Sequence, residues 1–231
     1  MSKTILTDNR VSGKCTEGLQ SLGCAVIRLP SFWGLQMPVS SHPDMLFFRL
    51  RDGRLVTTRE YHDANRVFFG ALPAEFSLTD EKLRPEYPSD VLFDALSVGG
   101  TVYGREDSVS RLILDDADGF VPVKQGYARC SVALLSENCA VTADKGLYNA
   151  LSSRGCDVLL IRPGHIALDG YDTGFIGGAG GCFGDGIYCF FGDILSHPDG
   201  AEIVGFAKKH KIKAVSLSDE PLSDHGGFIV L

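Results

Sequence analysis

A repeated order of strand, strand, helix and strand runs along this chain and restricts its possible folds more than any other feature. In the clearest copy, apolar residues 128–135 are typical of a buried strand, and a short turn leads to a second strand at 139–143. Asp144 is placed to cap the next helix, a glycine follows that helix, and residues 157–161 form a third strand. The pattern predicts a complete ββαβ module.

The same order recurs through the rest of the chain. Hairpins are predicted at 44–58, 91–104 and 175–191, helices near 64–72, 108–116 and 199–210, and third strands at 120–123 and 212–217. The connectors 77–83 (SLTDEKL) and 216–222 (SLSDEPL) resemble each other, and each precedes the next hairpin. Half a module remains at each end: a strand at 226–231, and a strand at 4–8, a helix at 16–22 and a strand at 25–29. We expect these halves to pair as a fifth copy.

Five modules predict an α/β protein built as a five-bladed, pseudo-fivefold propeller that the N- and C-terminal segments close into a ring. Closure removes the exposed edges of an open sheet, and stacked repeats gain a shared core. The alternative is an ordinary open α/β sheet in which the periodicity is coincidental. No linker divides residues 1–231, so we expect one domain.

Composition excludes several classes of partner. The net charge is −7 and the one basic cluster is residues 208–211 (KKHK), so we expect no nucleic-acid binding. No stretch approaches the roughly 20 apolar residues of a membrane span, and no signal peptide is evident, so we expect a soluble protein without a membrane partner. Seven cysteines with no CxxC pair favour reduced thiols in the cytoplasm. Oligomeric state is left open.

Three segments carry a resemblance to a known superfamily: residues 125–131 (QGYARCS), 174–181 (GFIGGAGG) and 224–231 (DHGGFIVL). With the five modules, they resemble the pentein, or guanidino-group-modifying-enzyme, superfamily, and within it a bacterial branch of unknown function. The resemblance implies a site in a central channel, where a cysteine attacks a guanidinium carbon, a histidine moves protons and carboxylates hold the cation. We expect no cofactor. The superfamily also contains a ribosome anti-association factor that does no chemistry.

His42 and Asp44 are the first candidates for the site. Residues 42–44 (HPD) are similar to the His-x-Asp motif of the enzymes and precede an apolar segment. The resemblance makes His42 a proton carrier and Asp44 a carboxylate for the guanidinium group. The alternative is that the pair only begins a strand, with Asp44 bonding backbone amides.

The nucleophile is the main departure from the superfamily, because residues 226–231 contain no cysteine where the last inner strand would carry one. Cys130, on the inner strand of another module, is a candidate replacement; the alternative is a buried, inert thiol. The glycine-rich residues 177–181 lack the features of a phosphate-binding loop and predict a close-packed strand entry. The remaining binding candidates are polar residues at the predicted mouth of the channel: Asp90, Asp94, Gln125, Tyr127, Asp224 and His225.

We therefore expect a small guanidino or amino compound to bind in the channel, either in a divergent hydrolase that uses Cys130 or in a non-catalytic relative. The alternative is a binding or assembly protein, similar to the ribosome factor, that uses an outer face. No spacing of His, Cys or Asp matches a structural zinc site, so no metal is expected.

Overall fold

A computed structural model describes residues 3–231 of the chain as alternating short strands and helices. In chain order the elements are β1 (Thr4–Thr7), α1 (Gly13–Ser21), β2 (Ala25–Arg28), α2 (Pro43–Leu46), β3 (Phe48–Arg49), β4 (Leu55–Thr58), α3 (Arg59–Ala64), α4 (Arg66–Gly70), β5 (Phe76–Thr79), β6 (Leu96–Val98), β7 (Thr101–Gly104), α5 (Arg111–Asp116), β8 (Gly119–Pro122), β9 (Val132–Ser136), β10 (Cys139–Thr142), α6 (Lys145–Ser152), β11 (Asp157–Leu160), β12 (Gly180–Gly184), β13 (Ile187–Phe190), α7 (Gly200–Lys209), β14 (Lys213–Ser216) and β15 (Phe228–Val230). Two short 3-10 helices lie at Met37–Val39 and Ile194–Ser196.

The strands form five three-stranded sheets that share one topology. In each sheet the middle strand is antiparallel to the first strand of the module and parallel to the third. The fifth sheet joins the two ends of the chain, because β15 pairs with β1 and places Val230 opposite Ile5. The predicted propeller of ββαβ modules, closed by the terminal segments, is confirmed, and the open-sheet alternative is wrong.

The first strands of the five sheets surround one central channel. A cavity of about 290 Å³ is lined by residues of β3, β6, β9, β12 and β15. In the outer layer, helix α6 buries Leu147 and Leu151 against the neighbouring strands, and Asp144 caps that helix by accepting a hydrogen bond from the Leu147 amide, as predicted. Within residues 3–231, none of the helices combines the length and the apolar character needed to cross a membrane.

Two local predictions differ from the structure in their details. The helix expected near 64–72 is two short helices, α3 and α4, and it begins earlier because Thr58 caps α3 through the Tyr61 amide. The connector at 77–83 begins inside β5, which supplies the missing third strand of its module.

The first strand of every module is shorter than the sequence predicts. Residues 44–46 belong to helix α2, and the segments 91–95, 128–131, 175–179 and 226–227 precede β6, β9, β12 and β15 without strand pairing. These segments reach the channel, where their backbone amides bond to groups of other modules: the Cys130 amide donates to Asp94, and the Phe175 amide donates to Asp224. Contacts between modules therefore replace sheet pairing at the channel.

Candidate functional site

A buried thiol–carboxylate cluster occupies the channel where three of these irregular segments meet. Asp44, Asp94 and Cys130 are 5%, 1% and 3% exposed. The Cys130 thiol donates a hydrogen bond to Asp44 Oδ2 at 2.7 Å, and the Cys130 amide donates to Asp94 Oδ1 at 2.9 Å. The other carboxylate oxygens, Asp44 Oδ1 and Asp94 Oδ2, have no hydrogen-bond partner among residues 3–231. The cluster therefore brings two incompletely bonded acids against one thiol.

Burial sets the protonation of this cluster. It raises the pKa of Asp44, and it raises the pKa of Asp94 well above the usual range, with the Asp44 carboxylate adding to the effect. Burial, reinforced by both carboxylates, also raises the pKa of Cys130 well above that of an ordinary thiol. In the absence of an added cation the thiol is therefore neutral.

Arg129 is the cation that the chain itself supplies beside the cluster. Burial lowers its pKa, but the nearby Tyr188 and Asp44 outweigh burial and keep the guanidinium charged. Its Nη1 donates to the carbonyl oxygens of Val132 and Gly177, each at 3.4 Å, and no hydrogen bond joins the Arg129 guanidinium to Asp44 or Asp94 in the described part of the chain. The unpartnered oxygens of the two acids remain available.

His42 lies beside this cluster and bridges two further acids. Its Nε2 is 3.5 Å from Asp8 Oδ2, and its Nδ1 is 3.9 Å from Asp224 Oδ1. Burial lowers the pKa of His42 to about 3 despite the Asp8 charge, so the imidazole is neutral at physiological pH. The expectation that residues 42–44 open a strand is wrong: His42 precedes helix α2, and the Asp44 amide donates to the Gly226 carbonyl. The chain turns there because Pro43 suits the first turn of a helix.

Asp8 and Asp224 differ in charge although both are buried. Burial opposes ionisation of Asp8, but hydrogen bonds from Arg10 at 3.0 Å and 2.5 Å outweigh it and lower the Asp8 pKa. Among residues 3–231, Asp224 accepts hydrogen bonds only from the backbone amides of Gly226 and Phe175, and burial raises its pKa to about 7. Asp224 therefore titrates near neutral pH.

A cavity of about 150 Å³ opens above these groups at one mouth of the channel. His42, Cys130 and Asp224 line its inner end, and aromatic rings form part of its wall. The ring of Phe175 stacks on Tyr127 with centroids 5.9 Å apart. The size suits a group with a volume of about five water molecules, well below a drug-sized ligand.

Tyr127 connects this wall to another buried acid. Its hydroxyl donates a hydrogen bond to Asp90 Oδ2 at 2.6 Å, while Asp90 Oδ1 has no hydrogen-bond partner within residues 3–231. Burial raises the pKa of Asp90. Gln125 Oε1 accepts from the Tyr127 amide at 3.1 Å, so Gln125 positions the wall.

The larger 290 Å³ cavity lies on the other side of the thiol–carboxylate pair. Asp44 and Arg129 line it together with Phe48, Phe93 and Phe228, whereas Cys130 lines the smaller cavity. Because the Cys130 thiol bonds to Asp44, the pair lies between the two cavities.

Glycines let the backbone approach the acids closely. At Gly226, where φ is +66°, a Cβ atom would lie 2.4 Å from His42 Cβ and 2.6 Å from Asp44 Oδ1. At Gly178 a Cβ atom would lie 2.0 Å from Asp224 Oδ1. This agrees with the close-packed strand entry predicted at 177–181.

The structure gathers most of the candidates around the smaller cavity, some on its surface and others one layer behind it. His42, Tyr127, Cys130 and Asp224 line it, whereas the remaining acids and Gln125 contact these residues from behind or line the larger cavity. His225 does not line either cavity, because its Nε2 bonds to Ser223 and its ring packs on Phe191.

Asp8, Tyr171 and Phe175 belong to the site but were not among the residues predicted from the sequence. Asp8 directly follows the middle strand of its sheet, and the residues in that position of the other four modules are Arg59, Arg105, Ala143 and Phe191. An alignment of the five modules would therefore have singled out Asp8. Tyr171 lies in a loop outside the repeat and carries no such signal.

Comparisons with known proteins agree with this architecture. The model of a family of unknown function, DUF6873, matches residues 6–229. The chain is similar to a mutant of dimethylarginine dimethylaminohydrolase from Pseudomonas aeruginosa complexed with citrulline: the TM-score is 0.56 and the identity 12%, over 95% of this chain and 93% of the other. An agmatine deiminase from C. jejuni gives a TM-score of 0.52 and 10% identity over 93% and 75%. An amidinotransferase from Microseira wollei gives 0.52 and 12% over 91% and 76%. A search of curated proteins finds no sequence match. At these identities the likeness establishes the pentein fold alone.

Proposed function

The chain belongs to the DUF6873 family and has the pentein fold, and we propose that it binds a small organic cation of the guanidinium or amine type. The binding site is the 150 Å³ cavity at one mouth of the channel. The observation that carries the proposal is the set of buried, incompletely bonded acids beneath and behind an aromatic wall.

Asp224 lines the cavity, and Asp44, Asp90 and Asp94 lie directly behind residues of its wall, so a cation bound there would favour the ionised form of these acids and be attracted by it. Asp44, Asp90 and Asp94 each keep one buried oxygen without a hydrogen-bond partner among the described residues, and a buried unpaired acceptor costs about 1 to 3 kcal/mol. A guanidinium group carries a charge and five N–H donors, which suit carboxylate oxygens, and an ammonium group carries three donors.

The wall supplies the shape. Tyr127 and Phe175 present stacked rings, and Tyr171 lies on the same cavity. Aromatic faces attract cations by about 0.5 to 2 kcal/mol, most strongly when water is excluded. The volume favours a head group or a short amine over a nucleotide or peptide.

The second candidate function, supported by the position of Cys130, is hydrolysis of a guanidino compound. Cys130 is the one cysteine among residues 3–231 that lines this cavity, and its S–H bond points to Asp44 Oδ2. A bound cation would lower the pKa of the thiol, since a nearby positive charge favours the thiolate.

In that reaction Cys130 Sγ forms a bond to the guanidinium carbon while its proton passes to Asp44. Collapse of the tetrahedral adduct breaks a C–N bond, and the leaving amine takes that proton. Water then attacks the carbon, breaks the C–S bond and restores the thiol, with a ureido product. Asp44, ionised again once the amine has left, is available to accept the proton from that water, and its raised pKa makes it a stronger base than His42, whose pKa is about 3.

The test is a thermal-shift and calorimetric screen with chelator present. The ligands are guanidinium, methylguanidine, agmatine, arginine and putrescine, with urea and citrulline as neutral counterparts. A ligand at about 100 times its Kd should stabilise the fold by about 3 kcal/mol, and the neutral counterparts should not.

Asp44→Asn should abolish the shift, whereas Asp185→Asn should retain it. Asp185 is the matched control because its side chain is 82% exposed at a turn, and its φ of +54° suits asparagine. A uniformly flat screen with folded wild-type protein would contradict the proposal and favour an assembly protein that uses an outer face.

Product analysis of any ligand that binds then tests hydrolysis. A ureido product that forms with the wild type and not with Cys130→Ser supports the second candidate. Binding without turnover identifies a binding protein.

A further inference from the structure

The thiol–carboxylate cluster of Asp44, Asp94 and Cys130 has the composition of a metal site as well as that of a site for organic cations. One ligand atom from each of the three residues lies within 4.8 Å of the others, and all three residues are buried. Each carboxylate keeps one oxygen without a hydrogen-bond partner among residues 3–231. We propose that this cluster binds one divalent ion of the zinc class through Cys130 Sγ and the carboxylates of Asp44 and Asp94.

The donor set selects the class of ion. Thiolate sulfur favours zinc and related borderline ions, whereas Mg²⁺ and Ca²⁺ prefer sites made of oxygen alone. Three protein ligands with a further position open is the arrangement of catalytic zinc sites, and structural sites use four. The smaller cavity, which Cys130 and His42 both line, would provide room for a ligand in that further position.

His42 gives a second, independent indication. Its side chain is 2% exposed, and its Nδ1 has no hydrogen-bond partner in the described part of the chain. His42 is not among the residues whose ligand atoms lie within 4.8 Å of one another, so it borders the further position from the cavity and does not complete the set of protein ligands. Tyr171 also lines that cavity and is 42% exposed, so the cavity extends toward the surface and offers an entry path.

The distances require little movement. Zinc bonds of about 2.3 Å to sulfur and about 2.0 Å to oxygen place tetrahedral ligand atoms about 3.3 to 3.5 Å apart. The Cys130 Sγ to Asp44 Oδ2 contact, 2.7 Å in the structure, would therefore lengthen by less than about 1 Å. The remaining separations are at most 4.8 Å and would shorten by up to about 1.5 Å.

The charges also balance. On binding, the S–H bond of Cys130 breaks, its proton and those held by the carboxyl groups of Asp44 and Asp94 leave to solvent, and the Zn–S bond forms with no change in oxidation state. The thiolate and two carboxylates then carry three negative charges, and the ion with the Arg129 guanidinium carries three positive charges. Arg129 precedes Cys130 and lies on the opposite side of the pair, in the larger cavity.

The test uses the whole chain after removal of metal with a chelator. Co²⁺ serves as the spectroscopic probe for the zinc class, because thiolate-to-cobalt charge transfer gives a near-ultraviolet band. We expect saturation at one ion per chain, and we expect Zn²⁺ to displace the cobalt and remove the band. Absence of binding at micromolar Co²⁺ and Zn²⁺ would overturn the proposal.

Three variants locate the ion. Cys130→Ser should abolish the band, and Asp94→Asn should keep the band but weaken affinity by on the order of a hundredfold, since even outer-shell changes cost about 10- to 100-fold. Cys182→Ser is the matched control, because that thiol is exposed and lines the other cavity. A band that survives Cys130→Ser, or is lost in Cys182→Ser, would place the ion elsewhere and overturn the proposal. If circular dichroism shows that Cys130→Ser does not fold, Asp94→Asn is decisive. A weakened cobalt affinity in that variant supports the proposal, and an unchanged affinity overturns it.

The metal titration contains no organic cation, and the screen for organic cations contains chelator. Failure of one proposal is therefore distinguishable from failure of the other.

Discussion

The free energy of unfolding of Asp224→Asn, measured relative to that of the wild type, should increase as the pH rises from about 5 to about 8. Burial, and then the charge of Asp44, raises the pKa of Asp224 to about 7, against an ordinary value of 3.8. Between these values the folded protein holds a proton that the unfolded chain has released. The resulting stability is fully present at low pH and is lost as the pH rises through about 7. Asparagine cannot ionise, so the variant does not undergo this loss.

The magnitude follows from the pH interval in which the two states differ. Between about pH 5 and the folded pKa of about 7 the difference accumulates at about 1.4 kcal/mol per pH unit, which gives about 3 kcal/mol. Asp224 also accepts two backbone hydrogen bonds, from Gly226 and Phe175, and asparagine can accept only one of them through its single oxygen. The variant therefore loses about 1 to 3 kcal/mol at both pH values, and the change between them is the measured quantity.

The wild type alone would not reveal this effect, because His42 works in the opposite direction. Burial lowers the pKa of His42 from 6.5 to about 3, so its contribution to stability is full above 6.5 and is lost as the pH falls. From about pH 8 to about pH 5 this loss is about 2 kcal/mol, close to what Asp224 gains over the same interval. His42→Gln should therefore shift relative stability in the opposite sense from Asp224→Asn.

The assay is urea unfolding of the wild type, Asp224→Asn and Asp185→Asn at about pH 5 and about pH 8. For the exposed control, Asp185→Asn, the difference from the wild type in free energy of unfolding should change by less than about 0.5 kcal/mol between the two pH values. The same small change for Asp224→Asn would show that Asp224 ionises normally in the folded protein and would refute the reasoning.

Three further results are expected. Gly226→Ala should lower the free energy of unfolding by more than about 2 kcal/mol, because φ at Gly226 is +66° and the added methyl group would overlap His42. Gly205→Ala in helix α7 should raise it by about 1 kcal/mol, because a methyl group there would have nothing within 4 Å. Equal effects of the two changes would contradict the packing at the channel. Tyr127→Phe should lower the free energy of unfolding by about 1 to 3 kcal/mol, because it leaves both buried oxygens of Asp90 without a hydrogen bond. A loss below about 0.5 kcal/mol in urea unfolding would mean that a water molecule replaces the hydroxyl. Affinity for the organic cation should increase by up to about tenfold from pH 6 to pH 8, as Asp224, with a pKa of about 7, ionises. A Kd that calorimetry finds independent of pH would mean that the Asp224 carboxylate does not interact with the ligand.

Local sequence patterns were sufficient to predict the modules. The turn and strand signals around residues 128–161 correspond to β9, β10, α6 and β11, because continuous apolar runs, an N-capping aspartate and tight turns act over a few residues. The pairing of β15 with β1 was also predicted, since two half modules leave unpaired edges that can satisfy each other.

The candidate site could be predicted only as a set of residue types. His42, Asp44 and Cys130 were selected through a resemblance, and the structure brings Cys130 into a hydrogen bond with Asp44, 86 positions away in the chain. No local pattern specifies that contact, because it joins segments of two different modules that meet only at the channel.

Tertiary structure also decided where the strands begin and which groups carry charge. The segment before β9 remains unpaired because Asp94 takes the Cys130 amide, an interaction between two modules. Asp8 and Asp224 are both buried aspartates, yet the pKa of Asp8 is lowered and that of Asp224 is raised to about 7. The difference arises because Arg10 donates hydrogen bonds to Asp8 and not to Asp224. Sequence thus determined the repeated unit through short-range hydrogen bonding and periodicity. The chemistry of the channel depends on desolvation and on contacts between modules, which exist only after the ring has closed.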